Sequence, residues 1–127
     1  MSATKWVVRT TVGGKPVTTP DPTAAVAALV SEIMRADARA QTVYYNTASV
    51  KLSRVEAGCS AYPVATYFKD VAARTSRLSL AVSPGSLSES MAKAITAATT
   101  HVPMTRIDEV GADLQGAEPW RVVEPLG

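Results

Sequence analysis

An α+β domain is the fold this sequence predicts: a mostly antiparallel sheet with about three helices packed on one face. Three observations predict it. Asp21 to Arg39 carries an apolar stripe at helical period, β-forming segments lie on both sides of that stretch, and a strand–strand–helix order recurs. At 127 residues the chain is expected to be a single domain spanning residues 1–127. Its hydrophobic fraction of 46% and charged fraction of 19% argue against global disorder, which needs low hydrophobicity and high charge.

The first strand is expected over Lys5 to Val12, where Trp6, Val7, Val8, Thr10, Thr11 and Val12 are β-formers. Gly13-Gly14 is a hairpin signal, since both positions accept φ > 0. Pro16 to Thr19 returns as a short edge strand, because Pro16 removes a ladder donor. Asp21 caps the first helix, and Pro22 suits its first position. Val26, Leu29, Val30, Ile33 and Met34 form the inward stripe.

Gln41 to Glu56 is the next β region. Val43 and Tyr45 share one parity and Val50 and Leu52 the other, so a turn or bulge is expected at Asn46 to Ser49. A second helix is expected from Pro63, with Val64, Tyr67, Phe68, Val71 and Ala72 inward and Lys69, Asp70 and Arg74 pointing away. Leu78 to Val82 alternates as a half-buried strand. Ser86 and Glu89 have capping-box spacing ahead of a third helix, which turns Leu87, Met91, Ala94, Ile95 and Ala98 inward and ends near His101. Met104 to Val110 and Trp120 to Val123 are the last strand candidates.

Several function classes are disfavoured. No apolar run approaches the ~18 residues of a membrane span, and no signal-peptide core follows Met1, so a cytoplasmic protein is expected. Cys59 is the one cysteine and His101 the one histidine. Their spacing supports no nucleophile–base pair, and the plain readings are a small loop residue and a histidine near a helix C-terminus. Together they cannot complete a structural zinc site. Asp108, Glu109 and Asp113 read as solvated carboxylates before they read as a cation site. Gly13-Gly14-Lys15 lacks phosphate-loop spacing, and at Ser83 to Ser86 capping accounts for the serine without an anion. No catalytic residue, metal or cofactor is assigned.

Binding surfaces have more support. Adjacent strand residues face opposite sides, so one of Tyr44 and Tyr45 is expected outside, near Lys51 or Arg54, with Trp6 joining them. Ordinary cross-strand packing is the competing account. Net charge is only +2, but ten basic residues oppose five acidic ones through Arg77, and three oppose six beyond it. Such asymmetry suits head-to-tail self-contact or an anion-facing surface, against a plainly solvated one.

The expectation is a small non-enzymatic binding protein, self-associating and of bacterial or phage accessory type. It is most simply a homodimer, joined where Trp6 to Val12 forms an open sheet edge, and another protein partner is compatible with it. The competing arrangement is a monomer in which Trp120 to Val123 covers that edge. The alternatives in function are a nucleic-acid-binding protein using its basic first part, with Tyr44 or Tyr45 as a stacking platform, and a small enzyme with a pocket between sheet and helices.

Overall fold

The computed structural model describes residues 4–11, 13–42, 47–58, 61–82, 86–111 and 120–123, without the side chains of 40–42, 106, 108–110 and 120–123. Its elements run β1 Lys5–Thr10, β2 Val17–Thr19, α1 Pro22–Thr42, β3 Thr47–Val55, β4 Tyr62–Asp70, β5 Thr75–Val82, α2 Glu89–Ala98, β6 Arg106–Gly111 and β7 Trp120–Val123. The strands form one sheet in the order β2-β1-β3-β4-β5-β6-β7. Every joint is antiparallel except β5–β6, which is parallel and bridged by α2. The α+β class is as expected, with two helices among the described residues in place of about three.

The local signals at the start of the chain operate as expected. Gly13 and Gly14 take φ of 89° and 113°. The Arg35 guanidinium donates to the Gly13 carbonyl and, at 2.6 Å, to Glu32 Oε2, tying the hairpin to α1. Asp21 caps α1: Oδ1 accepts from Thr23 N at 3.1 Å and its carbonyl from Ala25 N at 2.9 Å.

The buried face of α1 is rotated from the expected stripe. Ala25, Leu29, Ile33 and Ala36 are fully buried, whereas Met34 is 46% exposed. Two alanines on the contact line let the helix approach the sheet closely. Val26, Val30 and Met34 turn sideways and share an open groove of about 700 Å³ with Met91, Ala94 and Ala98 of α2. The helix also runs past Arg39 to Thr42, and one strand follows from Thr47. The turn expected at Asn46 to Ser49 is therefore absent at residues 47–49, while residues 43–46 lie outside the described residues.

The helix expected from Pro63 is strand β4. The pairing with β3 steps from Leu52↔Ala65 to Ser53↔Pro63, so Val64 is an extra, bulged residue. Val64 and Ala65 are consecutive and both buried. The bulge breaks strict alternation, and the resulting spacing of apolar residues imitates a helix. Pro63, which cannot donate to a ladder, sits beside this irregularity. A strand also separates Tyr67 from Phe68: Tyr67 is buried and Phe68 is 39% exposed.

α2 begins two residues later than expected. Ser88, not Ser86, is the cap, and its Oγ accepts from Met91 N at 3.2 Å. Ala92 and Ile95 face inward, and Leu87 is buried just ahead of the helix. Ala94 is exposed, as is His101, which follows the Thr99 C-cap. Both helices join one apolar cluster with Val8, Val50, Leu52, Tyr67, Leu78 and Leu80. Among the described residues no helix is long and apolar enough to cross a membrane.

Candidate functional site: the open face of the sheet

Strand parity divides β1, β3, β4 and β5 into two sets of side chains. Trp6, Val8, Ala48, Val50, Leu52, Ala65, Tyr67, Ser76, Leu78 and Leu80 are buried on the helix side. Their neighbours point the other way, where no described helix covers them.

The expected site residues are split by this parity. Lys51 and Arg54 are three apart on one strand, so they cannot share a face. Trp6 is 5% exposed and pairs in register with Arg54. The Arg54 guanidinium carbon stands 5.3 Å from the Trp6 ring centroid, within cation–π range. Its Nε donates to Glu56 Oε1 at 2.6 Å and Nη1 to the Ser86 carbonyl at 3.0 Å. Thr4 Oγ1 donates to Glu56 Oε2 at 2.9 Å. The Thr4 and Arg54 hydrogen bonds hold the Glu56 carboxyl below its usual range. This is a satisfied polar cluster on the covered side, so Trp6 and Arg54 do not form an exposed surface with Lys51. Tyr44, Tyr45 and Cys59 lie outside the described residues.

A second polar cluster sits under α1. Lys69 Nζ pairs with Asp37 Oδ1, and the Tyr67 hydroxyl lies 3.5 Å from the same oxygen. Burial, with the Asp37 charge adding, pushes the Tyr67 phenol up to about 12. Lys69, expected to point into solvent, is thus on the helix side. No described buried side-chain polar atom lacks a partner. Both clusters are internally completed.

The open face is different. Lys51 is exposed and directly opposite Arg9 of β1, also exposed. Like charges directly opposite one another destabilise a sheet. Lys5 lies further along β1, and Arg77 of β5 is the register partner of Phe68. All four cations are exposed, and among the described residues no ion pair holds them. Ser49, Thr66 and Ser79 fill positions between them. Asp70 is the acid described on this face, and its Oδ1 accepts from Ala73 N at 3.1 Å within the β4–β5 turn.

Sequence reasoning found Lys51 but missed Phe68, Arg9 and Arg77. Thr66-Tyr67-Phe68 is a β-branched and aromatic run, and that signal favours a strand. Among the described residues, no three His, Cys, Asp or Glu side chains come together to hold a metal. The inter-helix groove is lined by apolar and hydroxyl side chains with no titratable group. The chain matches no protein-family model, no curated protein and no solved structure.

Proposed function

We propose that this chain is a small non-enzymatic binding protein whose contact surface is the open face of its sheet, and that the partner is anionic there. One observation carries the reading: Arg9 and Lys51 are exposed register partners with no described counter-ion. A fold that keeps such a pair gives up stability, and an anionic partner restores it. The test is retention on a polyanion column over a salt gradient. Arg9→Gln/Lys51→Gln should elute at distinctly lower salt than Lys15→Gln/Lys93→Gln, which removes the same charge elsewhere. Equal elution of the two variants rejects the open face as the contact surface.

Self-association, on this reading, uses an edge and not the open face. Two-fold packing of open faces with the axis near Arg9 and Lys51 would set the cationic patches of two copies against each other. Nor is the expected route through Trp6 to Val12 open, because β1 pairs with β2 on one side and β3 on the other. β7 pairs with β6 and does not cover β1. The sheet ends at β2 and β7. β2 has three residues, with Pro16 before it and Pro20 after it, which blunts pairing. A homodimer would therefore extend the sheet through β7. Sedimentation at rising concentration checks this, and Val122→Pro should dissociate the dimer. A monomer at every concentration rejects it.

A further inference from the structure

We infer that the anionic partner is a single-stranded nucleic acid, with one base stacked on Phe68 and its phosphates held by Lys5, Arg9, Lys51 and Arg77. This rests on the open-face reading and names the ligand class of that same surface.

Phe68 is 39% exposed near the middle of the sheet, where a strand of this length would normally place a polar residue on its solvent side. Its register partners are Ser49 on β3 and Arg77 on β5. Adjacent strands lie about 4.8 Å apart, so the ring has the small Ser49 on one flank and Arg77 on the other. Lys51, two residues from Ser49, is a diagonal neighbour of Phe68 at roughly 7–8 Å. Arg9 stands opposite Lys51, and Lys5 lies roughly 13 Å further along β1. From Arg77 to Arg9 the band crosses three strand joints, roughly 14 Å. An aromatic platform inside a diagonal row of cations is what sequence-tolerant binding of a single strand requires. Ser49, Thr66 and Ser79 add hydroxyls that can bond phosphate and sugar oxygens.

Charge complementarity separates the occupants. Among the described side chains, four cations share this surface with one acid, Asp70, which is occupied by its own turn. A duplex would satisfy the cations but hides the faces of its bases, leaving Phe68 without a role. A peptide of acidic residues alone would likewise leave the ring unused. An unpaired base lays a flat face on the ring while its phosphates meet the row beside it.

Fluorescence anisotropy with labelled oligo(dT) of about twenty nucleotides tests this, with a duplex of equal length and poly-glutamate as competitors. Four phosphate contacts predict that log affinity falls with log salt at a slope of about −3, and Lys51→Gln should reduce that slope by about 0.7. Phe68→Ala should weaken oligo(dT) binding about ten- to hundredfold with an unchanged circular dichroism spectrum. Phe68→Trp should keep binding. Phe68→Leu, which keeps apolar volume but removes the ring, should lose it and replaces Phe68→Ala if that variant does not fold. Full binding by a folded ringless variant, or poly-glutamate competing as well as oligo(dT), overturns the nucleic-acid inference while leaving an anion-binding face. Unchanged binding by Arg9→Gln/Lys51→Gln overturns the open-face reading itself.

Discussion

On the helix-covered side of the sheet, Val8, Val50, Leu52, Leu78 and Leu80 are at most 1% exposed. On the other side of the same strands stand Arg9, Lys51, Arg77 and Ser79, all exposed. The covered side also holds charges, but there every one described has been answered. Arg54 reaches Glu56 and the Ser86 carbonyl, and Lys69 reaches Asp37. Pairing offsets the cost of drawing these charges partly out of water. The open side is under no such constraint, and its cations are placed with like beside like. One face is thus organised for stability, and the other keeps an arrangement that folding alone does not favour.

Three measurements break or sharpen this contrast. The largest effect belongs to the covered side. Leu29 is fully buried, and Leu29→Ala should cost about 2–5 kcal/mol in urea denaturation. An unchanged midpoint would mean that α1 does not anchor the core.

The next concerns alkaline pH. Tyr67 has its phenol raised to about 12, above the ordinary 10, by burial and the Asp37 charge. The folded state therefore keeps this proton after the unfolded chain has released its own. The stabilisation is complete below pH 10 and is lost as pH rises from 10 towards 12, by about 3 kcal/mol. Tyr67→Phe should flatten the stability profile in that window. Equal slopes for the two proteins would show that the phenol is not held neutral by the fold.

The smallest effect has the opposite sign. Lys51→Glu replaces a like-charged pair with an attractive one and should raise stability by about 0.5–1 kcal/mol, read from the thermal midpoint. The same variant should lose retention on a polyanion. Lower stability would indicate that Lys51 and Arg9 do not meet across β1 and β3.

The proposed binding surface was legible only in part. Lys51 was identifiable as a strand residue beside other polar positions. Phe68 was hidden by the β4 bulge, because Val64 and Ala65 together shift the apolar spacing away from period two. Trp6 was misplaced for another reason: a strand's alternation tells which residues share a face, but not which face meets the helices. Grouping Arg54 with Lys51 was a different error, since parity alone separates them.

What the sequence by itself determined lies within a few residues of each signal. The Gly13-Gly14 turn, the Asp21 cap, the alternation around Leu78 and Leu80 and the short strand at Trp120 to Val123 are such features, since each follows from local backbone preference or side-chain period. From these came the α+β class. Tertiary structure alone decided the rest. Pairing across the sheet made β1 an interior strand and put β6 parallel to β5. Packing on the sheet rotated α1 onto Ala25, Leu29, Ile33 and Ala36. Register against β3 created the Val64 bulge and sent Phe68 outward. These outcomes depend on contacts between residues far apart in the chain, whose free energies no local window contains.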